Sequence, residues 1–180
     1  MNQNKLAHGI SNFLLYKEDF AFIGMTDITL PNLQMVTETL TGAGLGGNIE
    51  IVYQAFIDVM DATYQFRTFS PESAQLFEQR EHKLEARAAQ QSRDSITGVV
   101  APDSVKYIFR GAPKGLNAGA LAPAQGGQTQ ISHSLSYYCI QIKNDNGQWD
   151  KVVEVDPYQY ICIVNGIDYG QPVRAALGLE

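Results

Sequence analysis

The chain has 180 residues, the length of one domain with a sizeable core, and 19 acidic against 13 basic side chains give it a net charge of −6 and a pI near 5.0. That balance excludes a protein that wraps nucleic acid, because neutralising phosphates takes clustered Lys and Arg. Charged residues make up only 18% of the chain, below the usual quarter or so, which points to a surface partly covered by partners.

Residues 1–9 are polar and read as an N-terminal arm with no apolar signal-peptide core, and no apolar run approaches the roughly 20 residues of a membrane span. Residues 10–16 (ISNFLLY) form a strand, Lys17, Glu18 and Asp19 a turn, and residues 20–23 a second short strand. The stretch 27–33 is a strand broken at Pro31, which places it at an edge or bulge. Residues 35–41 alternate, with Val36, Glu38 and Leu40 on one face and Thr37, Thr39 and Thr41 on the other, a pattern that favours an extended strand. A glycine run follows, then a return strand over 49–53, so 35–53 is a long protruding hairpin with a Gly-rich tip. Residues 54–61 (QAFIDVMD) are open between helix and loop.

Residues 62–69 are a strand, and Ser70-Pro71-Glu72 starts a short helix near 71–79 through a Ser cap, a Pro at the first position and an acid in the first turn. Residues 80–93 carry a conflict. Their composition (Glu, Lys, Leu, Ala, Arg, Gln) extends a helix, whereas Leu84, Ala86 and Ala88 alternate as in a strand. Turn signals occupy 94–104, a strand 105–110, and a flexible Gly/Ala/Pro loop 111–128. Residues 129–143 and 149–156 flank Asp145-Asn146-Gly147 as a hairpin, and 158–164 is a strand closed by Asn165-Gly166. The tail from Pro172 reads as a short docking segment. Eight to ten strands and one helix make the chain a single all-β domain.

Chemistry is sparse in this pattern. Gly42, Gly44 and Gly47 satisfy the letters of a dinucleotide-binding turn, which would make the chain a nucleotide-binding enzyme. The Thr-rich strand before them is a poor buried parallel strand, and no βαβ alternation follows. His8, His82 and His133 have no metal spacing, and His133 and Ser134 point to opposite strand faces. Cys139 and Cys162 read as small buried hydrophobes on neighbouring strands, and the acid pairs Glu18–Asp19, Asp58–Asp61 and Asp145–Asp150 as solvated. A further alternative is a β-sandwich carbohydrate binder using Tyr137, Tyr138, Trp149, Tyr158 and Tyr160. No catalytic residue, cofactor or metal is expected.

A family resemblance is carried by residues 28–33 (ITLPNL), by Glu38 with the glycine run 42–47, and by the closing 164–168 (VNGID) with Arg174 and 177–179 (LGL). In order and spacing the chain resembles the major tail tube protein of contractile-tailed bacteriophages and R-type bacteriocins across nearly its whole length. It is also similar to the haemolysin-coregulated tube protein of type VI secretion. The resemblance implies a β-sandwich or small barrel with one flanking helix, followed by a strand at 83–92. It implies a structural role without catalysis: homohexameric rings stacked into a tube inside a contractile sheath, located in the virion tail and assembled in the host cytoplasm. The implied partners are further copies, the sheath protein, and tape-measure and baseplate or tube-initiator proteins. DNA would pass the lumen without specific binding, and no membrane insertion is implied. Within this reading the hairpin residues Leu40, Gly42, Gly44, Leu45, Gly46, Gly47 and Ile49 are the expected inter-subunit contacts.

Overall fold

Residues 5–17, 21–24 and 26–179 are described by a computed structural model. Strands β1 (Lys5–Lys17), β2 (Ala21–Phe22), β7 (His82–Asp94), β8 (Val100–Asn117), β9 (Thr129–Lys143), β10 (Trp149–Asp156), β11 (Ile161–Val164) and β12 (Ile167–Asp168) lie side by side in the order β12-β11-β10-β9-β8-β7-β1-β2. Every pairing between them is antiparallel. Two more strands, β3 (Thr26–Thr29) and β6 (Met60–Phe66), join this sheet through β9, which pairs with β6, which in turn pairs with β3.

Strand β9 is the hinge of the architecture. One edge pairs with β8 along most of its length, while the other pairs with β6 over its first half and with β10 over its second. At the fork the β8 ladder slips, since Arg110 faces Tyr137 but Gly111 faces Leu135, leaving Ser136 as an extra residue. Such a bulge bends and twists the strand, turning one sheet over onto itself. Glycine is required at this bend, because a Cβ on Gly111 would stand 2.3 Å from the Ser134 carbonyl oxygen.

The folded sheet encloses one core. Leu15 from β1, Tyr64 and Phe66 from β6, Leu84 and Ala86 from β7, Phe109 from β8, Ile131 and Tyr138 from β9 and Val155 from β10 all belong to it. Phe109 meets Tyr64 edge-on at 6.0 Å and Tyr138 tilted at 5.5 Å, as aromatic quadrupoles favour. The conflict over 80–93 resolves as a strand. His82, Leu84, Ala86 and Ala88 are buried while Lys83 and Arg87 are exposed, a period of two. Packing between β1 and β8 outweighs a helical preference of a few tenths of a kcal/mol per residue.

The helix begins as expected but is shorter, α1 spanning Pro71–Gln75 with Ser70 and Ser73 in a reciprocal capping box. It stops because its last N–H groups tighten onto i−3 acceptors, Leu76 N–H donating to the Ser73 oxygen and Phe77 N–H to that of Ala74, and the segment beyond is then held by two histidines. His133 Nε2 lies 2.8 Å from the Leu76 oxygen, and His82 Nε2 lies 3.1 Å from that of Glu78.

Several local expectations are corrected. Lys5 to Gly9, read as part of a polar arm, form the start of β1 against the end of β7, because a polar strand still gains its backbone ladder. Gly111–Asn117, read as flexible loop, continue β8 against β9, and the residues after them are pinned by Ala120 N–H donating to the Gly127 oxygen and Thr129 Oγ1 to that of Ala118. Residues 54–57, left open between helix and loop, are strand. There β5 (Ile49–Ile57) bulges opposite β4 (Met35–Leu40), with Ala55 at φ 60°, which destroys the alternation. Cys139 and Cys162 are buried, but β10 lies between their strands. The turn expected at Glu18 and Asp19 falls outside the described residues. Near the C-terminus Tyr160, at φ 51°, delays the last long strand to Ile161 after a 3-10 turn at Pro157–Gln159.

Candidate assembly surface

Among the described residues strands β4 and β5 pair only with each other, in a two-stranded sheet separate from the ten-stranded one. Leu40 faces Ile49, Glu38 faces Ile51 and Thr37 faces Val52. Cross-strand partners share a face, so Leu40, Ile49, Ile51 and Tyr53 line one side of the arm, and the Tyr53 hydroxyl donates to Glu38 there. At the tip the Leu45 N–H donates to the Gly42 oxygen at 3.3 Å, and Gly44 sits at φ +97°, a left-handed conformation that glycine adopts without strain. Among the described residues no atom lies within 4 Å of where a Cβ on Gly42, Gly44, Gly46 or Gly47 would stand, so the glycine tip is open.

The seven hairpin residues singled out from the sequence therefore lie together at the far end of the arm. Its apolar side chains are bare, with Val52 56% and Phe56 59% exposed. An isolated two-stranded hairpin is marginal in water, and a contiguous exposed apolar surface marks an interaction site. The arm is the candidate for such a site.

The glycine turn does not hold a nucleotide. The chain leaves it as strand β5, so there is no helix N-terminus to receive a pyrophosphate, and the dinucleotide reading is overturned on this geometry. The aromatic residues suggested for sugar binding do not converge either. Tyr138 is in the core, Tyr137 donates to Glu154 at 2.8 Å, and Trp149 and Tyr158 lie at opposite ends of β10.

The C-terminal motif closes on itself. Asn165 (φ 50°) and Gly166 (φ 82°) form the two-residue turn of a tight hairpin between β11 and β12. Asp168 then accepts from the Gly170 N–H at 2.9 Å and from Arg174 at 2.7 Å, while Arg174 also donates to the Tyr160 oxygen at 2.9 Å. Gly170 is irreplaceable here, because a Cβ would stand 1.8 Å from the Tyr160 oxygen. This lock fixes helix α2 (Gln171–Leu177), which leaves Leu177 and Leu179 exposed beside the sheet edge.

Sequence reasoning passed over two buried histidines. His82 and His133 are fully buried with their rings stacked at 5.6 Å, and Tyr64 packs edge-on against His133 at 5.1 Å. A carbonyl only accepts, so Nε2 of His133 carries the proton and donates to Leu76, while its buried Nδ1 has no partner. Burial, with His82 beside it, pulls the His133 pKa down to about 4 against the bond to Leu76. The unfolded chain therefore binds the proton first as pH falls, and stability drops between about pH 6.5 and pH 4. We expect the urea midpoint at pH 4 to lie well below that at pH 7, by an amount reduced in His133→Phe; an identical pH dependence in that variant would refute the assignment. The only signal in the sequence was the placement of His82 and His133 on the apolar phase of two strands.

Among the described residues no group of three or more His, Cys, Asp or Glu is placed to hold a metal ion. No helix among them is long and apolar enough to cross a membrane. The expected acid pairs are exposed at Asp58, Asp61, Asp145 and Asp150, whereas the buried acids are Glu154 and Asp156, which the sequence did not flag. Compared with known proteins, the chain matches the model of the family described as phage tail tube protein FII over residues 7–178. A search of curated proteins gives no match.

Proposed function

Since the chain belongs to the phage tail tube protein FII family, a structural component of the virion tail, we propose that its copies form homohexameric rings that stack into the inner tube of a contractile tail. The observation that carries this reading is the detached arm β4–β5, exposed and apolar along its length and paired with no other described strand. A heterologous contact through such an arm closes into a ring on rotation, and axial contacts that do not close continue as a stack. Leu40, Gly42, Gly44, Leu45, Gly46, Gly47 and Ile49 make the contact to the neighbouring copy. The tube sits inside a sheath, meets tape-measure and baseplate proteins at its ends, and assembles in the host cytoplasm. It passes DNA without gripping it, since a chain of net charge −6 repels phosphate. The role is mechanical and needs no catalysis.

Electron microscopy and sedimentation of the purified chain test this. Rings or tubes of uniform diameter are expected, growing with concentration or on addition of a baseplate complex. A chain that stays monomeric at every concentration and with that initiator overturns the proposal.

A further inference from the structure

Charge is segregated along this chain. All 13 Lys and Arg residues lie outside residues 18–66, a stretch that contains the whole arm. The arm itself carries Glu38 and Glu50 on its two faces, with Asp58 at its root, all three exposed. Its field is purely negative.

The cations gather on the outer face of β7–β10. The register places Arg87 beside Lys106, Lys106 beside Gln141 and Gln141 beside Lys151, in one row across four strands. A second row, four residues further along β7 and β8 with Glu85 and Ile108 in between, holds Lys83 beside Arg110. Glu85, Glu154 and Asp156 share this face; Glu154 and Asp156 lie deeper than Lys151 and Arg110, Glu85 lies level with Lys106, which is itself 14% exposed, and the exposed Glu81 stands 3.8 Å from Arg110. The side chains of Glu85, Glu154 and Asp156 are 18%, 8% and 4% exposed, against 43% for Arg87, 42% for Arg110 and 49% for Lys151. Glu85 holds Arg87 and Lys106, Glu154 holds Lys151, and Asp156 holds Arg110. Aromatic rings fix the same cations from the side, with Arg87 over Tyr16 at 5.2 Å, Lys106 over Trp149 at 4.4 Å and Arg110 over Tyr137 at 4.8 Å. The groups standing furthest out on β7, β8 and β10, apart from Glu81 beside Arg110, are thus the cations Arg87, Arg110 and Lys151, preorganised and with half-buried Ile108 between the two rows. At about 4.8 Å between strands, four strands make a bed about 14 Å wide, enough for a two-stranded ribbon.

We propose that the anionic arm of one copy is seated on this cationic face of a neighbouring copy. The contact rests on the tube reading and deepens it, naming which surface receives the arm. Complementary charge speeds encounter and sets the register, and like charge on wrong surfaces suppresses wrong pairings.

Charge reversal tests it. The arm variant Glu38→Lys/Glu50→Lys/Asp58→Lys and the face variant Arg87→Glu/Lys106→Glu/Lys151→Glu should each lose pelletable assembly at least about tenfold, and the two sets combined in one chain should restore it. Wild-type assembly should also slow by about tenfold between 0.05 and 0.5 M salt, a measurement that needs no variant. Circular dichroism checks that the variants fold; if the face variant does not, Lys106→Gln/Lys151→Gln takes its place and should weaken assembly. Face variants that assemble like the wild type, or salt-independent assembly, overturn the contact and leave that face to a different partner such as a sheath subunit. A wild-type chain that never assembles overturns the tube reading, and this contact falls with it.

Discussion

Replacing residues 40–49 with Asn-Gly should abolish assembly and leave a folded chain. The replacement joins Thr39 to Glu50, which already face each other, through the two-residue turn that suits paired strands. It removes Leu40, Leu45 and Ile49, all exposed, together with the open glycine tip. From the arm only Ile57, at its root, packs against the core, and it is retained. The melting temperature should therefore stay within about 3 °C of the wild type, since surface changes away from packed features cost at most about 0.5 kcal/mol. Pelletable tubes should fall below detection, because an interface that loses its central apolar anchors loses most of its binding energy. Tubes of normal yield would show that the tip makes no inter-subunit contact. Loss of the fold would show that the arm supports the core.

Ala86→Lys should unfold much of the protein, while Lys83→Ala should leave it intact. Ala86 is 2% exposed, between Leu15 of β1 and Tyr107 of β8. An ammonium forced into that row has no carboxylate to meet, and burying an unpaired charge costs several kcal/mol. At about 2–4 °C per kcal/mol for a chain of this size, the melting temperature should drop by 10 °C or more. Lys83 is exposed, and its loss should cost no more than about 0.5 kcal/mol. The pair also tests the local structure. On a helix, positions 83 and 86 share a side; on strand β7 they point opposite ways. Equal effects from both substitutions would contradict the strand.

Much of the architecture follows from local chemistry. Period-two alternation in β4, β6 and β9 placed strands where they are found, because a half-buried strand needs only its own side chains to declare its faces. Asn165-Gly166 and Asn146-Gly147 marked their turns because positive φ is a property of the residue itself. Ser70-Pro71 marked the helix start because a capping hydroxyl and a φ fixed by the proline ring are equally local. The hairpin at 35–53 and its glycine tip were equally local, and so the candidate contact residues were visible before any fold was known.

What the sequence could not decide depends on neighbours distant along the chain. Residues 82–94 carry a helix-forming composition, and only the flanking ladders of β1 and β8 make them a strand. Gly111–Asn117 look like loop because they hold Gly, Ala and Pro, yet pairing with β9 extends β8 through them. The segment after the short helix is held by His82 and His133, from two other strands, which reach the carbonyls of Glu78 and Leu76. The cationic face exists only once β7, β8, β9 and β10 are set in register, since its members are scattered from Lys83 to Lys151. The chain alone determined that it is all-β and carries an acidic, glycine-tipped arm. Tertiary structure decided that the arm pairs with no other described strand and which cations gather on one face, because long-range strand pairing, not local preference, chooses which side chains share a face.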